Sequence, residues 1–126
     1  MSSTTQSMDY KNKGVRDICG LESELQGSDP TLTKTLSRKI FNIINDAKNL
    51  QEIIPDLAYL AARNEGLSPD TALGKIIYNV IDMIRKGTNK DNIMKYMEGV
   101  VMAVYIIEEA KKDKNNIDAY RILGCG

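Results

Sequence analysis

Polar and apolar positions alternate along this chain mostly with a helical period, and one stretch breaks the pattern. From Gly99 to Ile107 no side chain carries a charge. Ile93, Met97, Val100, Val101, Val104 and Ile107 keep helical spacing behind a start signal at Asp91, and the Met, Ala and Glu around them are good helix formers. The pattern predicts a long helix over 90–112, capped by Thr88 or Asn89 and apolar nearly all round. Such a helix packs on several sides, so the other elements are expected to wrap it, with Gly99 letting one of them approach closely. A buried strand is the competing reading of the same run, since Val, Ile and Tyr favour strands. The run falls short of the about 20 apolar residues that a bilayer crossing requires.

The remaining segments read as shorter elements around it. Residues 1–13 are rich in Ser, Thr, Gln and Lys without periodicity and predict a disordered tail, leaving 14–126 as one helical domain. Residues 15–25 predict a short helix and 26–30 a turn. Asp29 followed by Pro30 signals a helix start, and Leu32, Leu36, Ile40, Ile43, Ile44 and Ala47 then mark an inner stripe as far as about Lys48. Lys34, Arg38, Asn45 and Lys48 fall on the opposite side, with Phe41 among them. After a break before Pro55 comes a helix over 55–64 that Gly66 ends. Ser68 and Pro69 then predict the start of a third helix, with Ala72, Leu73, Ile76, Ile77, Val80, Ile81 and Ile84 inside and Lys75, Asp82, Arg85 and Lys86 outside. Gly87 stops it, and residues 117–123 predict one more turn or short helix. The expected fold is an all-α, compact single-domain bundle of about five helices around the buried one.

Composition narrows the function classes. The chain has 126 residues, with 17 basic and 17 acidic side chains, so it lacks the basic excess that argues most simply for nucleic-acid binding. Histidine is absent, which removes the usual general base and the commonest metal ligand. Without a signal peptide or membrane span in the pattern, the cytoplasm is the expected location. The two cysteines, Cys19 and Cys125, fit no metal motif and suggest no disulfide framework; Cys19 reads as a buried small hydrophobe and Cys125 as an exposed thiol. No glycine-rich phosphate loop or nucleophile elbow is present. The acidic pairs Glu22 with Glu24 and Glu108 with Glu109 read as solvated surface. These absences point away from an enzyme, a cofactor and a metal.

The basic residues say more. Lys34 and Arg38 lie four apart on one helix with Lys39 beside them, Arg63 closes the next, and Lys75, Lys86 and Lys90 add charge around the third. If they converge they form a groove that neutralises phosphates; on spacing alone they also suit an ordinary solvated face. An outward Phe41 or Tyr59 would add a stacking surface, whereas Tyr59 and Tyr105 are most simply core residues whose hydroxyls reach water.

The order of these features resembles a known family. Leu32–Phe41 (Leu-Thr-Lys-Thr-Leu-Ser-Arg-Lys-Ile-Phe), Leu57–Arg63, the helix over 68–86, and Tyr96, Glu98, Val100, Val101 and Tyr105 are together similar to the Csm small subunit of type III-A CRISPR effector complexes, over about residues 31–112. The resemblance implies a non-catalytic, all-helical subunit, several copies of which stack along a ribonucleoprotein filament beside backbone and large subunits. It implies contact with target RNA and guide RNA through phosphates, base pairing supplying the specificity. By position it points to Arg38 and Arg63, with Lys34, Lys39 and Lys75 as neighbours, and to no membrane or small-molecule substrate. The chain departs from the family pattern in its neutral net charge and in the Asn64-Glu65-Gly66 that follows Arg63. Alternatives are the small subunit of a type III-B complex, or a helical adaptor or homodimer that binds no RNA.

Overall fold

The computed structural model describes residues 3–125, with side chains from Asp9 onward. The fold is all-α: α1 (Ser3–Cys19), α2 (Glu22–Leu25), α3 (Lys34–Asp46), a 3-10 turn (Leu50–Ile53), α4 (Ile54–Arg63), α5 (Ala72–Arg85), α6 (Lys90–Lys112) and α7 (Ala119–Ile122), with no strand among the described residues. No described helix is long and apolar enough to cross a membrane.

α6 is the helix that the apolar run predicts. Asn89 caps it by accepting the Asn92 N–H at 2.9 Å. Ile93, Tyr96, Met97, Val100, Ala103, Val104 and Ile107 are buried. Its broadest contacts are with α1 and α3, and it also meets α5 and α7. It packs on several sides, as expected, and one part of its surface stays open: Met102 and Tyr105 are 45% and 51% exposed. α4 packs on α5, α3 and the 3-10 turn instead, so one stripe of α6 stays in water.

The segment expected as a disordered tail is helical from Ser3, as the first part of α1. Its packing explains why a polar sequence folds here. A Cβ on Gly14 would run into the Tyr96 carbonyl, and one on Gly99 would run into the Lys11 carbonyl. The two glycines therefore let α1 and α6 cross backbone against backbone, and α1 is the element whose close approach Gly99 foretells. Lys11 and Glu98 pair across the crossing at 3.2 Å. Deeper in, the Tyr96 hydroxyl donates to Asp17 at 2.7 Å, while Asn79 of α5 donates to both Asp17 and Tyr96 at 3.1 Å. Burial, reinforced by the Asp17 carboxylate, drives the Tyr96 hydroxyl pKa far up, so this link between three helices stays protonated.

Two helix starts lie later than the sequence signals place them. α3 begins after Thr33, whose hydroxyl accepts the Leu36 N–H at 3.1 Å, and not at Asp29-Pro30. α5 begins after Thr71, whose hydroxyl accepts the Gly74 N–H at 3.0 Å, and not at Ser68-Pro69. One side chain accounts for much of both shifts. Glu24 accepts the Thr31 N–H at 2.7 Å, the Thr31 hydroxyl at 2.6 Å and the Ala72 N–H at 2.7 Å, while Thr31 Oγ1 accepts the Leu73 N–H at 3.0 Å. This network holds residue 31 in a non-helical bend and puts a carboxylate on the first N–H of α5, where the helix dipole favours it. Glu24 is thus a structural anchor and not solvated surface. Burial opposes its charge, but the bonds from Thr31 and Ala72 outweigh burial and lower its pKa.

The helix ends follow their chemistry. Gly87, at φ +83°, ends α5, with Thr88 N–H donating to the Met83 carbonyl and Gly87 N–H to the Ile84 carbonyl. α4 ends the same way but with Glu65 in the left-handed position at φ 57°; Gly66 follows it because a Cβ there would sit 2.6 Å from the Leu73 side chain. α7 repeats the motif. Gly124, at φ +77°, turns the chain, and Cys125 N–H donates to the Tyr120 carbonyl at 2.8 Å. That turn delivers Cys125 to Cys19 at the end of α1, and the two form a disulfide with their Cα atoms 5.5 Å apart. This corrects the expectation of two free thiols: the buried Ala119 and Tyr120 dock α7 and bring together residues 106 apart in sequence.

Candidate nucleic-acid interface

The positive side chains proposed from the sequence converge only in part. Lys34, Arg38 and Lys39 project from α3, whose opposite side buries Ile40 and Ile44. Lys34 and Arg38 are one turn apart and share a face. With Val101 and Tyr105 of α6 they line an open depression of ≈ 330 Å³. Lys39 also lines a second depression, of ≈ 400 Å³, together with Tyr59 and Arg63 of α4. The two hollows adjoin at Lys39, so Lys34, Arg38, Lys39 and Arg63 form one strip across α3 and α4, floored in part by α6. Lys75 is not part of it; it stands exposed on α5 and lines neither hollow. Lys86 pairs with Asp82 at 2.9 Å.

The four strip cations are not equally free. Lys34 is held by Glu109 at 2.9 Å, and its ammonium lies 4.8 Å from the centre of the Tyr105 ring. The hydrogen bond to Glu109 raises the Lys34 pKa and lowers that of Glu109. Glu108 accepts the Lys34 backbone N–H at 2.5 Å, at the N-terminus of α3. Both acids of that pair therefore have partners, where the sequence suggests open surface. Arg38, Lys39 and Arg63 are exposed and form no ion pair among the described residues. Asp56 brings the one negative charge to the hollow shared by Lys39 and Arg63.

Aromatic rings accompany the charges. The Arg38 guanidinium lies 5.9 Å from the centre of the Phe41 ring, and that of Arg63 lies 5.6 Å from the Tyr59 ring. Phe41 is partly buried against the core, although its spacing sets it opposite the inner stripe of α3. Tyr59 is 63% exposed, and Tyr105 is also on the surface; both differ from the core role expected of them. The reason is local. α4 turns Leu57 and Ala61 inward, which leaves Tyr59 outward, and Tyr105 lies on the uncovered stripe of α6.

Two further lysines serve the fold. The Lys90 ammonium donates to the carbonyls of Asn45 and Ala47 at 2.8 and 2.7 Å, closing the end of α3. The Lys111 ammonium donates to the carbonyls of Leu25 and Gly27 at 3.0 and 2.9 Å, after α2. Cations at helix C-termini complement the dipole there. No group of three or more Cys, Asp or Glu side chains among the described residues stands close enough to hold a metal ion. Comparison with protein-family models, with curated proteins and with solved structures found no match for the chain.

Proposed function

We propose that this chain is a non-catalytic RNA-contacting subunit, in the manner of the Csm small subunit of type III-A CRISPR complexes that its sequence resembles. The observation that carries the reading is the joined strip of Lys34, Arg38, Lys39 and Arg63 across α3 and α4. Three of these cations are free to meet phosphates, and each phosphate neutralised releases counterions, which makes binding salt-dependent and blind to sequence. A neutral chain can do this because net charge counts the whole surface, whereas the strip gathers four cations against Asp56 and the Glu109 that pairs with Lys34. In such a complex the guide RNA supplies specificity by pairing with the target, and backbone subunits and further copies of this chain complete the filament. The proposal places the chain in the cytoplasm. Disulfides are rare there outside hyperthermophiles, so the Cys19–Cys125 bond implies either such a host or a reduced form in the cell.

The test has two parts. Tagged protein purified from its host is expected to bring guide RNA and backbone subunits with it. In the assembled complex, Arg38→Ala with Arg63→Ala is expected to weaken target-RNA binding and lower the salt slope by about 1.4–1.8 for two lost contacts. Unchanged binding by the double variant sinks the proposal. A protein-interaction module is the second reading, favoured by Met102 and Tyr105 lying exposed on α6. It predicts an RNA-free complex that dissociates on Met102→Asp.

A further inference from the structure

Phosphate contact leaves the surface aromatics of the strip unexplained. Tyr105 sits in one hollow and Tyr59 in the other, each more than half exposed. Both lie beside a cation, Lys34 for Tyr105 and Arg63 for Tyr59. Lys39 stands where the two hollows meet. Each hollow therefore repeats one arrangement, an accessible π-surface with positive charge next to it. A nucleotide has the same two parts, a flat base and an anionic phosphate. Groove charge combined with stacking rings is how single strands are held without sequence preference. A duplex uses its base faces in its own stack and has none to offer a surface ring. A protein partner would have to bring acidic groups to Arg38, Lys39 and Arg63, and nothing in the arrangement of rings asks for that.

We propose that the strip binds single-stranded RNA with one unpaired base stacked on Tyr59 and another on Tyr105, the intervening backbone passing Lys39. This rests on the RNA-contacting reading and narrows its ligand from polyanion to unpaired strand. Lys34 contributes least to the phosphate path, because Glu109 already holds it. Its place is beside the Tyr105 ring.

The experiment compares three fluorescein-labelled probes of equal length in anisotropy titrations with the full chain at low salt. The probes are an unstructured single-stranded RNA, the same strand with abasic riboses, and the blunt duplex. The base-bearing single strand is expected to bind most tightly. Tyr59→Ala and Tyr105→Ala are each expected to weaken it by about 5- to 150-fold, the range of one lost base stack. They should leave abasic-strand affinity and the salt slope unchanged. Tyr59→Phe and Tyr105→Phe, which keep the ring, are expected to bind as the parent does. If abasic and base-bearing strands bind equally, or the duplex binds best, stacking is overturned while phosphate contact stands. If none of the three probes binds, both proposals are overturned. The same holds if the alanine variants release a protein partner and no RNA.

Discussion

When the Cys19–Cys125 bond is reduced, or Cys125 is replaced by Ser, the unfolded chain recovers the freedom of a loop of 106 residues. Loop-closure entropy puts that freedom at about 5 kcal/mol at 25 °C. Unfolding entropy near the midpoint is about 0.26 kcal/mol per kelvin for a chain of 126 residues, so the loss maps onto a fall in Tm of about 15–20 °C. The loss has a structural site as well. Beyond Lys112 the chain is held by the disulfide and by α7, which buries only Ala119 and Tyr120. Freed of the bond, α7 should fray before the rest, and trypsin should cut after Arg121 and Lys114. The assay is circular dichroism melting with and without a strong dithiol, alongside thiol titration of air-oxidised protein after denaturation. No titratable thiol is expected before reduction and two after it, with the Cys125→Ser melt indifferent to dithiol. Two free thiols at the outset, or melts that agree within a couple of degrees, would refute the reasoning.

Three other outcomes follow from single side chains. Glu24→Ala removes the acceptor for three donors and is expected to cost about 2–4 kcal/mol in chemical denaturation. Because folding lowers the Glu24 pKa, its contribution is complete above the ordinary value of 4.5 and fades as pH falls through the lower folded value. The parent's acid sensitivity below 4.5 should therefore be weaker in the variant, and equal acid profiles would count against the anchor. Gly99→Ala improves helix propensity by about 1 kcal/mol yet drives a Cβ into the Lys11 carbonyl; a net loss of about 1–3 kcal/mol is expected, with faster amide exchange in α1. A gain in stability would mean that α1 does not cross α6 there. Tyr120 carries a buried hydroxyl with no hydrogen-bond partner among the described residues, so Tyr120→Phe should stabilise the protein by about 1 kcal/mol in thermal melts, and a clear loss would reveal a partner.

α5 and α6 were legible because their own residues decide them: a continuous apolar face, an Asn cap and a Gly stop at Gly87. Of α1 only the C-terminal part was, within the helix expected over 15–25; the rest was not, because what folds it is a Gly14 and Gly99 pair separated by most of the chain, which no local window contains. The starts of α3 and α5 were misplaced because Asp29-Pro30 and Ser68-Pro69 are valid local signals that the distant Glu24 overrides. Of the candidate site, α3 spacing placed Lys34, Arg38 and Lys39 correctly with respect to one another, and tertiary packing added Arg63. Lys75 failed to join because it stands on α5, which contributes no residue to either hollow. The exposure of Tyr59 had a local signal, since Leu57 and Ala61 already complete an inward face on α4; that of Tyr105 did not, because it depends on which side of α6 no helix covers.

Lys90 and Lys111 end their side chains on main-chain oxygens, so an electrophile reaches either nitrogen only after those hydrogen bonds are broken. An amine-acylating reagent should accordingly label Lys39 and Lys75 early and these two late. Once either is acylated, the helix end it fastens loses its clasp. A labelling time course read by mass spectrometry would then report on the architecture as much as on accessibility, with slow sites marking where a charge closes a helix and fast sites marking where it is left for something else to meet.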